Sequence, residues 1–97
     1  MAEIRWTAEA ERWLRDIYEY IAQDSPNAAD RVVTEIYDKV QTLMLFPRMG
    51  HLYDPDMTDE VRILLYGHYR IAYLVNPDDT IDILGVFHGA LDIERYL

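Results

Sequence analysis

Three strand-like runs at short spacing fill the second half of this 97-residue chain, and two helical segments precede them. The runs cover residues 61–66, 69–75 and 81–88, and the turn sequences Gly67-His68 and Asn76-Pro77-Asp78-Asp79 separate them. Connections this short favour neighbouring antiparallel strands. A chain of this length forms one domain, so we expect the strands and the helices to share one small core.

Two amphipathic helices are predicted before Pro47, because apolar residues recur at helical spacing in two segments. Thr7 can cap the first helix, while Ser25 and Pro26 suit the start of the second. The second helix should stop before Pro47, and Gly50 then allows the chain to turn away from the helix. Since the link between the helices is short, we expect them to form an antiparallel hairpin.

A short first strand is predicted at the start of the chain, where Ile4 and Trp6 alternate with polar neighbours. Residues 51–60 are rich in carboxylates, and we expect them to form an acidic loop. The predicted element order is therefore β-α-α-β-β-β. This order predicts a single α+β domain over residues 1–97, in which a mainly antiparallel sheet packs against an N-terminal helical hairpin.

The strand pattern leaves two possibilities for the second face of the sheet. A helical pair covers one face, yet the strands over 61–66 and 69–75 are largely apolar on both faces. An antiparallel sheet with one solvated face usually alternates more cleanly between apolar and polar residues. Either the helices and the C-terminal tail cover more of the sheet, or the second face binds a partner.

Composition and charge exclude several classes of function. The formal net charge is -9, and such an acidic surface repels phosphate backbones, so we expect no direct nucleic-acid binding. The charge indicates either simple solubility or a protein partner with basic segments. The absence of cysteine excludes disulfides and thiolate metal sites. With no evident secretory signal or membrane-length apolar stretch, we expect a cytoplasmic protein without membrane contact.

The three histidines, His51, His68 and His88, lack the spacing of metal ligands, so we expect neither a metal site nor a cofactor. His88 lies where the last predicted strand ends and Gly89 follows, which is a common position for a functional side chain. The alternative is that His88 only caps the edge of the sheet.

Two arginines, Arg62 and Arg70, lie within largely apolar strands, where an unpaired guanidinium is costly to bury. They either contact an acidic segment of a partner or form intramolecular ion pairs, with Asp82 and Asp92 as candidates. Both alternatives remain open from the sequence.

A two-residue turn at Gly67-His68 would place Arg62 beside Tyr73 and Arg70 beside Leu65, on opposite faces of the sheet. Tyrosine combines a large apolar area with a polar tip and is favoured at protein interfaces. Three tyrosines of this hairpin can line one face, either as rim packing or as an interface: Tyr66, Tyr69 and Tyr73.

Taken in order, the motifs resemble those of the RelE/ParE superfamily of bacterial type II toxin–antitoxin toxins, and most closely its ParE branch. The resemblance covers nearly the whole chain. The matching pieces are Leu14-x-x-Ile17-x-x-Tyr20-Ile21, Ser25-Pro26, Ala28-Ala29, Pro47-Arg48-Met49-Gly50, Val61-Arg62, Gly67-His68-Tyr69-Arg70-Ile71-x-Tyr73 and Val86-Phe87-His88-Gly89-Ala90-x-Asp92.

The RelE branch implies a ribosome-dependent mRNA endonuclease. Such enzymes carry two arginines that stabilise the charge developing on the phosphate, but Leu65 and Ala90 stand at those positions here. These enzymes also use a tyrosine in the same chemistry, and Tyr96 stands at its position here. If the chain were a nuclease, His88 and Tyr96 would act as acid and base; otherwise we expect no catalytic residue.

The ParE branch instead implies a toxin, often linked to plasmid stabilisation, that inhibits DNA gyrase by protein–protein contact. A ribbon-helix-helix antitoxin of the ParD kind neutralises such toxins. The family commonly has arginine where this chain has His51 and Leu91, so a non-toxic member that only binds its antitoxin is a further alternative. The residues that the resemblance assigns to antitoxin or target contact are Arg62, Tyr69, Arg70, Tyr73, His88 and Asp92.

Overall fold

The computed structural model describes residues 2–88, so the expectations for Ala90, Leu91, Asp92 and Tyr96 lie outside the described residues. Two helices and five strands form the domain. In chain order they are β1 (Glu3–Trp6), α1 (Ala8–Ala22), α2 (Pro26–Gln41), β2 (His51–Leu52), β3 (Glu60–Tyr66), β4 (Tyr69–Val75) and β5 (Thr80–His88). The predicted α+β class and the helical hairpin packed on a mainly antiparallel sheet are confirmed.

The five strands form one sheet in the order β1-β5-β4-β3-β2. Strand β1 is parallel to β5, and the remaining neighbours are antiparallel. The predicted acidic loop differs from the structure at its start, because His51 and Leu52 form β2 along the outer side of β3. A strand of two residues is too short to show an alternating apolar and polar pattern in the sequence. It forms because the outer side of β3 has unpaired backbone N–H and C=O groups with which β2 pairs.

Side-chain caps define the starts of both helices as predicted. The Thr7 hydroxyl accepts a hydrogen bond from the Ala10 N–H, and the Ser25 hydroxyl accepts one from the Ala28 N–H. The α2 helix ends earlier than the apolar pattern predicts, because its last turn tightens into a 3-10 turn over Thr42–Met44. Such tightening is common where a helix ends and its last carbonyls lose their usual partners.

The main core lies between the helical hairpin and one face of the sheet, which we call the helix face. Its fully buried side chains include Ile36 and Val40 of α2 and Ile71 of β4. Ile81 and Ile83 of β5 belong to the same cluster. No helix within residues 2–88 is long and apolar enough to cross a bilayer.

The opposite face of the sheet, here called the open face, carries a second and smaller core. Ile63, Ala72 and Phe87 form it, and Trp13 of α1 packs against both cores. The Trp13 and Phe87 rings meet edge to face with centroids 4.8 Å apart. The open face is therefore partly covered by the chain itself, which is the first of the two alternatives that the strand pattern left open.

A register shift in β5 shapes the open face. Ala72 pairs with Gly85 and Tyr73 pairs with Ile83, so Leu84 is an extra residue at this point. A β-bulge of this kind bends the strand and redirects side chains. Gly85 lies next to it, and a Cβ there would lie 2.6 Å from the end of the Phe87 ring, which would have to shift.

Candidate partner-binding surfaces

Three of the predicted contact residues come together at the end of the β3–β4 hairpin. Tyr69 pairs with His88 across the sheet, and their rings meet edge to face at 5.7 Å. The His88 ring also stacks with that of His68, with centroids 6.1 Å apart. The third predicted contact residue, Arg70, follows Tyr69 on β4 and pairs with Leu65. We call the following set the hairpin-tip patch: Leu65, His68, Tyr69, Arg70 and His88.

The turn that forms the hairpin tip is the predicted one. Gly67 has a φ of +56°, and a positive φ at the first central position is what a type II′ turn requires. The register then pairs Tyr66 with Tyr69 and Leu65 with Arg70, as the two-residue turn predicted. The patch therefore wraps around the end of the sheet, with Tyr69 towards the helix face and Arg70 on the open face.

Arg70 gives the hairpin-tip patch an accessible positive charge. Its side chain is exposed and forms no hydrogen bond or ion pair with another residue of the described chain. Leu65 lies directly opposite and is 56% exposed. Burial raises the pKa of the Tyr69 phenol further above physiological pH, where a phenol is already neutral. The patch thus offers one cation beside exposed apolar and aromatic surface.

Arg62 occupies a different position, on the helix face beside Tyr73. Its Nε donates to the Glu60 carboxylate at 2.7 Å, and its Nη1 donates to the Gly50 carbonyl oxygen at 2.7 Å. The side chain is only 16% exposed. Of the two alternatives for Arg62, the structure shows the intramolecular ion pair, and its partner is Glu60 rather than Asp82.

Tyr73 is fully buried in the main core. Its hydroxyl accepts a hydrogen bond from the Gly50 N–H at 2.9 Å and donates one to the Pro47 carbonyl oxygen at 2.8 Å. With Arg62, it anchors the segment between α2 and β2 to the sheet. The three hairpin tyrosines do share one face, but it is the helix face, and Tyr66 bonds the Glu35 carboxylate of α2 there.

Asp82 pairs with a residue that the sequence pattern did not single out. Arg5 of β1 donates to its carboxylate at 2.8 Å, and Asn76 donates to it at 3.0 Å. Together with the ion pair to Arg5, the Asn76 hydrogen bond lowers the pKa of Asp82. This pair fastens β1 to β5, since Arg5 and Asp82 are register partners.

A cavity of about 350 Å³ lies on the open face, between the start of α1 and the acidic loop. Its floor is apolar, with Val61, Leu74, Leu84 and Phe87. Its rim carries Thr7 and Glu9 from one side and Met57 and Asp59 from the other. We call this cavity the open-face groove. Sequence reasoning predicted an apolar second face but not the groove, because the bulge that displays Leu84 has no clear sequence signal beyond Gly85.

No cluster of three or more metal-ligating side chains occurs among residues 2–88. His51 is exposed on β2 and is the cross-strand partner of Ile63, two residues along β3 from Leu65 of the hairpin-tip patch.

A known protein family matches almost all of the described part of the chain. The family described as the ParE toxin of the type II toxin–antitoxin system, parDE, matches residues 4–93. This chain belongs to the ParE toxin family. The match covers all the described strands and helices apart from the first residue of β1. The resemblance to the RelE/ParE superfamily is thereby confirmed.

Individual relatives of this ParE family member carry names from both branches. A putative toxin, Y4kP, of Sinorhizobium fredii is 38% identical over 88 residues, covering 89% of this chain and 86% of the relative. Toxin RelE2 of Caulobacter vibrioides is 30% identical over 90 residues, covering 93% and 98%. Toxin ParE1 of Mycobacterium tuberculosis is 27% identical and covers 95% and 82%. The chain is thus a toxin of the ParE/RelE family by relationship.

Solved structures show the same fold. A chain from the chromosomal ParDE system of P. aeruginosa superposes with a TM-score of 0.74 at 24% identity, over 91% of this chain and 96% of that chain. A chain of the RelBE2 toxin–antitoxin complex from Mycobacterium tuberculosis has a TM-score of 0.60 at 23% identity, over 90% and 96%.

Proposed function

We propose that this ParE-family toxin acts in the cytoplasm by protein–protein contact, through inhibition of DNA gyrase, and that a ParD-like ribbon-helix-helix antitoxin neutralises it. The observation that supports contact over catalysis is the Leu65–Arg70 pair. Leu65 stands where the RelE resemblance expects a catalytic arginine, and its side chain is exposed at the hairpin tip. An aliphatic side chain cannot stabilise the charge that develops on a phosphate.

The hairpin-tip patch is the proposed target-contacting surface. It joins one cation, Arg70, to aromatic and apolar surface, a combination that is enriched where protein interfaces concentrate their binding energy. The net charge of -9 disfavours approach to nucleic acid and leaves a protein as the better target. Asp92, which we propose to orient a neighbouring arginine, completes the set suggested by the family.

Arg62 and Tyr73 are less accessible than the other predicted contact residues, which limits what they can contact. The Arg62 Nε and Nη1 atoms bind within the fold, and Tyr73 has no exposed surface to offer. Contact with target or antitoxin is therefore assigned to Tyr69, Arg70 and His88, and an indirect positioning role to Arg62 and Tyr73.

The decisive experiment measures gyrase supercoiling in vitro with the purified full chain. We expect inhibition by the wild type and at least about tenfold weaker inhibition by Arg70→Glu, because a hot-spot cation is reversed. Arg15→Glu reverses an exposed cation on α1 and serves as the matched control. Full gyrase activity at saturating wild-type toxin would overturn the proposed target.

A RelE-like nuclease remains the second candidate, because one relative of 30% identity is named Toxin RelE2. In that case His88 and Tyr96 would supply the acid and the base. Ribosome-dependent cleavage of mRNA that disappears in Tyr96→Phe would favour this function over gyrase inhibition. Normal growth on induction, together with tight antitoxin binding, would instead identify a non-toxic family member.

A further inference from the structure

The fold brings two histidines together at the hairpin tip, although they are far apart in the sequence. His68 lies in the β3–β4 turn and His88 ends β5, and their rings stack with centroids 6.1 Å apart and 28° between their planes. His88 is the register partner of Tyr69, the residue that follows His68. The pairing of β4 with β5 therefore fixes both backbone positions, and the two imidazoles become neighbours only in the folded chain.

Both imidazoles are accessible, and the fold does not use their nitrogens elsewhere. His68 and His88 are both exposed. Besides stacking on each other, they contact aromatic surface through Tyr69, whose ring meets that of His88 edge to face at 5.7 Å. Neither histidine forms a hydrogen bond or an ion pair with another residue in the range 2–88. Each neutral imidazole therefore keeps one nitrogen lone pair available for a ligand.

The separation of the two rings suits a single metal ion. A Zn–N bond to histidine is about 2.0–2.1 Å long, so two imidazoles on one ion have their ring centres roughly 5–6 Å apart. The observed 6.1 Å lies at the upper end of that range. Because both side chains are exposed, a small rotation about their χ angles brings one nitrogen of each ring to the ion without moving the backbone.

The charges near the histidine pair leave room for a cation. Arg70 is the nearest cation in the sequence, but it lies on the open face, opposite to His88. On the helix face, Tyr66 bonds the Glu35 carboxylate of α2, and the Arg31 charge of the same helix also acts on Tyr66. These two α2 charges offset each other. The net charge of -9 then favours the approach of a divalent cation.

The chemistry of the ligands determines the kind of ion. Imidazole suits Zn²⁺, Ni²⁺ and Cu²⁺, whereas Mg²⁺ and Ca²⁺ take oxygen ligands. We propose that His68 and His88 chelate one divalent transition-metal ion, with water in the remaining coordination positions. The bound ion links the hairpin turn to the end of β5 and adds positive charge to the hairpin-tip patch. Metal binding depends on the geometry of the two histidines and not on the proposed gyrase target.

The test is titration calorimetry of the full chain, without a histidine tag, against Zn²⁺ at neutral pH. We expect one ion per chain and at least about tenfold weaker binding by His68→Gln and by His88→Gln, because losing even a residue that orients a ligand costs about 10–100-fold in metal affinity. The control His51→Gln removes an exposed histidine of the open face, paired with Ile63, and its affinity should stay within about twofold of the wild type. Excess Mg²⁺ should not displace Zn²⁺.

Nuclear magnetic resonance adds a measurement that needs no variant. Zn²⁺ should shift the imidazole nitrogen signals of His68 and His88 and leave those of His51 in place. Zn²⁺ binding that both substitutions leave unchanged would assign the ion to carboxylates and overturn the proposal, and so would the absence of binding by the wild type. Gyrase inhibition is measured without added Zn²⁺, so its failure is distinguishable from either result.

Discussion

Tyr73 on the central strand β4 holds Gly50 through a hydrogen bond of 2.9 Å from the Gly50 N–H to its hydroxyl oxygen. The same hydroxyl donates to the Pro47 carbonyl oxygen at 2.8 Å, so one buried phenol closes both ends of the Pro47–Gly50 turn. Arg62 binds the Gly50 carbonyl oxygen from the neighbouring strand. The turn that ends the helical hairpin is therefore fastened to the sheet from two strands.

Removing the Tyr73 hydroxyl should destabilise the fold. Tyr73→Phe leaves the buried Gly50 N–H without its acceptor, and an unsatisfied buried polar group costs about 1–3 kcal/mol. Urea denaturation should show this loss in the free energy of unfolding. Tyr20→Phe is the matched control, because Tyr20 is 76% exposed, and it should change stability by less than about 0.5 kcal/mol. Equal stabilities of the two variants would contradict the assigned role of the phenol.

Gly50→Ala should be destabilising by about 1–3 kcal/mol, as is typical when a well-packed site is overfilled. An added Cβ would lie 2.6 Å from the Ile63 carbonyl oxygen and 2.8 Å from the Tyr73 hydroxyl oxygen. Because the first of these is backbone, the strand itself must move. Thermal denaturation measures the effect, and a wild-type melting temperature would show that the turn is looser than the structure indicates.

Gly85→Ala should be less destabilising than Gly50→Ala. The three atoms nearest to its new Cβ all belong to the Phe87 ring, the first at 2.6 Å, and a side chain can yield where backbone cannot. Since Phe87 lines the open-face groove, displacing its ring reshapes the floor. We expect a smaller loss of stability than in Gly50→Ala, and thermal denaturation of the two variants measures the difference. A loss as large as that of Gly50→Ala would show that the Phe87 ring cannot move aside.

The Glu60 ion pairs should make stability fall in acid. Partial burial of this carboxylate raises its pKa, but hydrogen bonds from Arg62 and Arg48 outweigh that effect, and the net pKa is lowered. A carboxylate with a lowered folded-state pKa stabilises the fold above its unfolded-state pKa of about 4.3, and the contribution is lost as the pH falls.

Glu60→Gln tests this expectation through the free energy of unfolding between about pH 7 and pH 3. The variant should be less stable than the wild type at neutral pH and should lose less stability on acidification, because its side chain has no charge to neutralise. Glu19→Gln on the exposed side of α1 provides the control and should follow the wild-type curve. Parallel curves for Glu60→Gln and the wild type would contradict a stabilising role of the pairs.

Local signals in the sequence predicted most of the elements. Thr7, Ser25 and Pro26 mark helix starts because capping and a fixed φ act within a few residues, and the structure places them there. Gly67 likewise marks the hairpin turn, and with it the register that puts Arg62 and Arg70 on opposite faces. The two-residue strand β2 escaped prediction because it depends on pairing with β3. The early end of α2 escaped it because the tightened turn over Thr42–Met44 keeps the apolar residues in the same sequence spacing.

The sequence by itself determined the element types, the hairpin register and the family, because these follow from periodicity, turn chemistry and ordered motifs. Only the tertiary structure decided which polar groups meet. Arg62 binds Glu60 and Gly50 rather than a partner, Tyr73 is buried, and the bulge at Leu84 forms the floor of a groove. Pairing across the fold depends on the positions of several strands at once, and no local pattern encodes those positions.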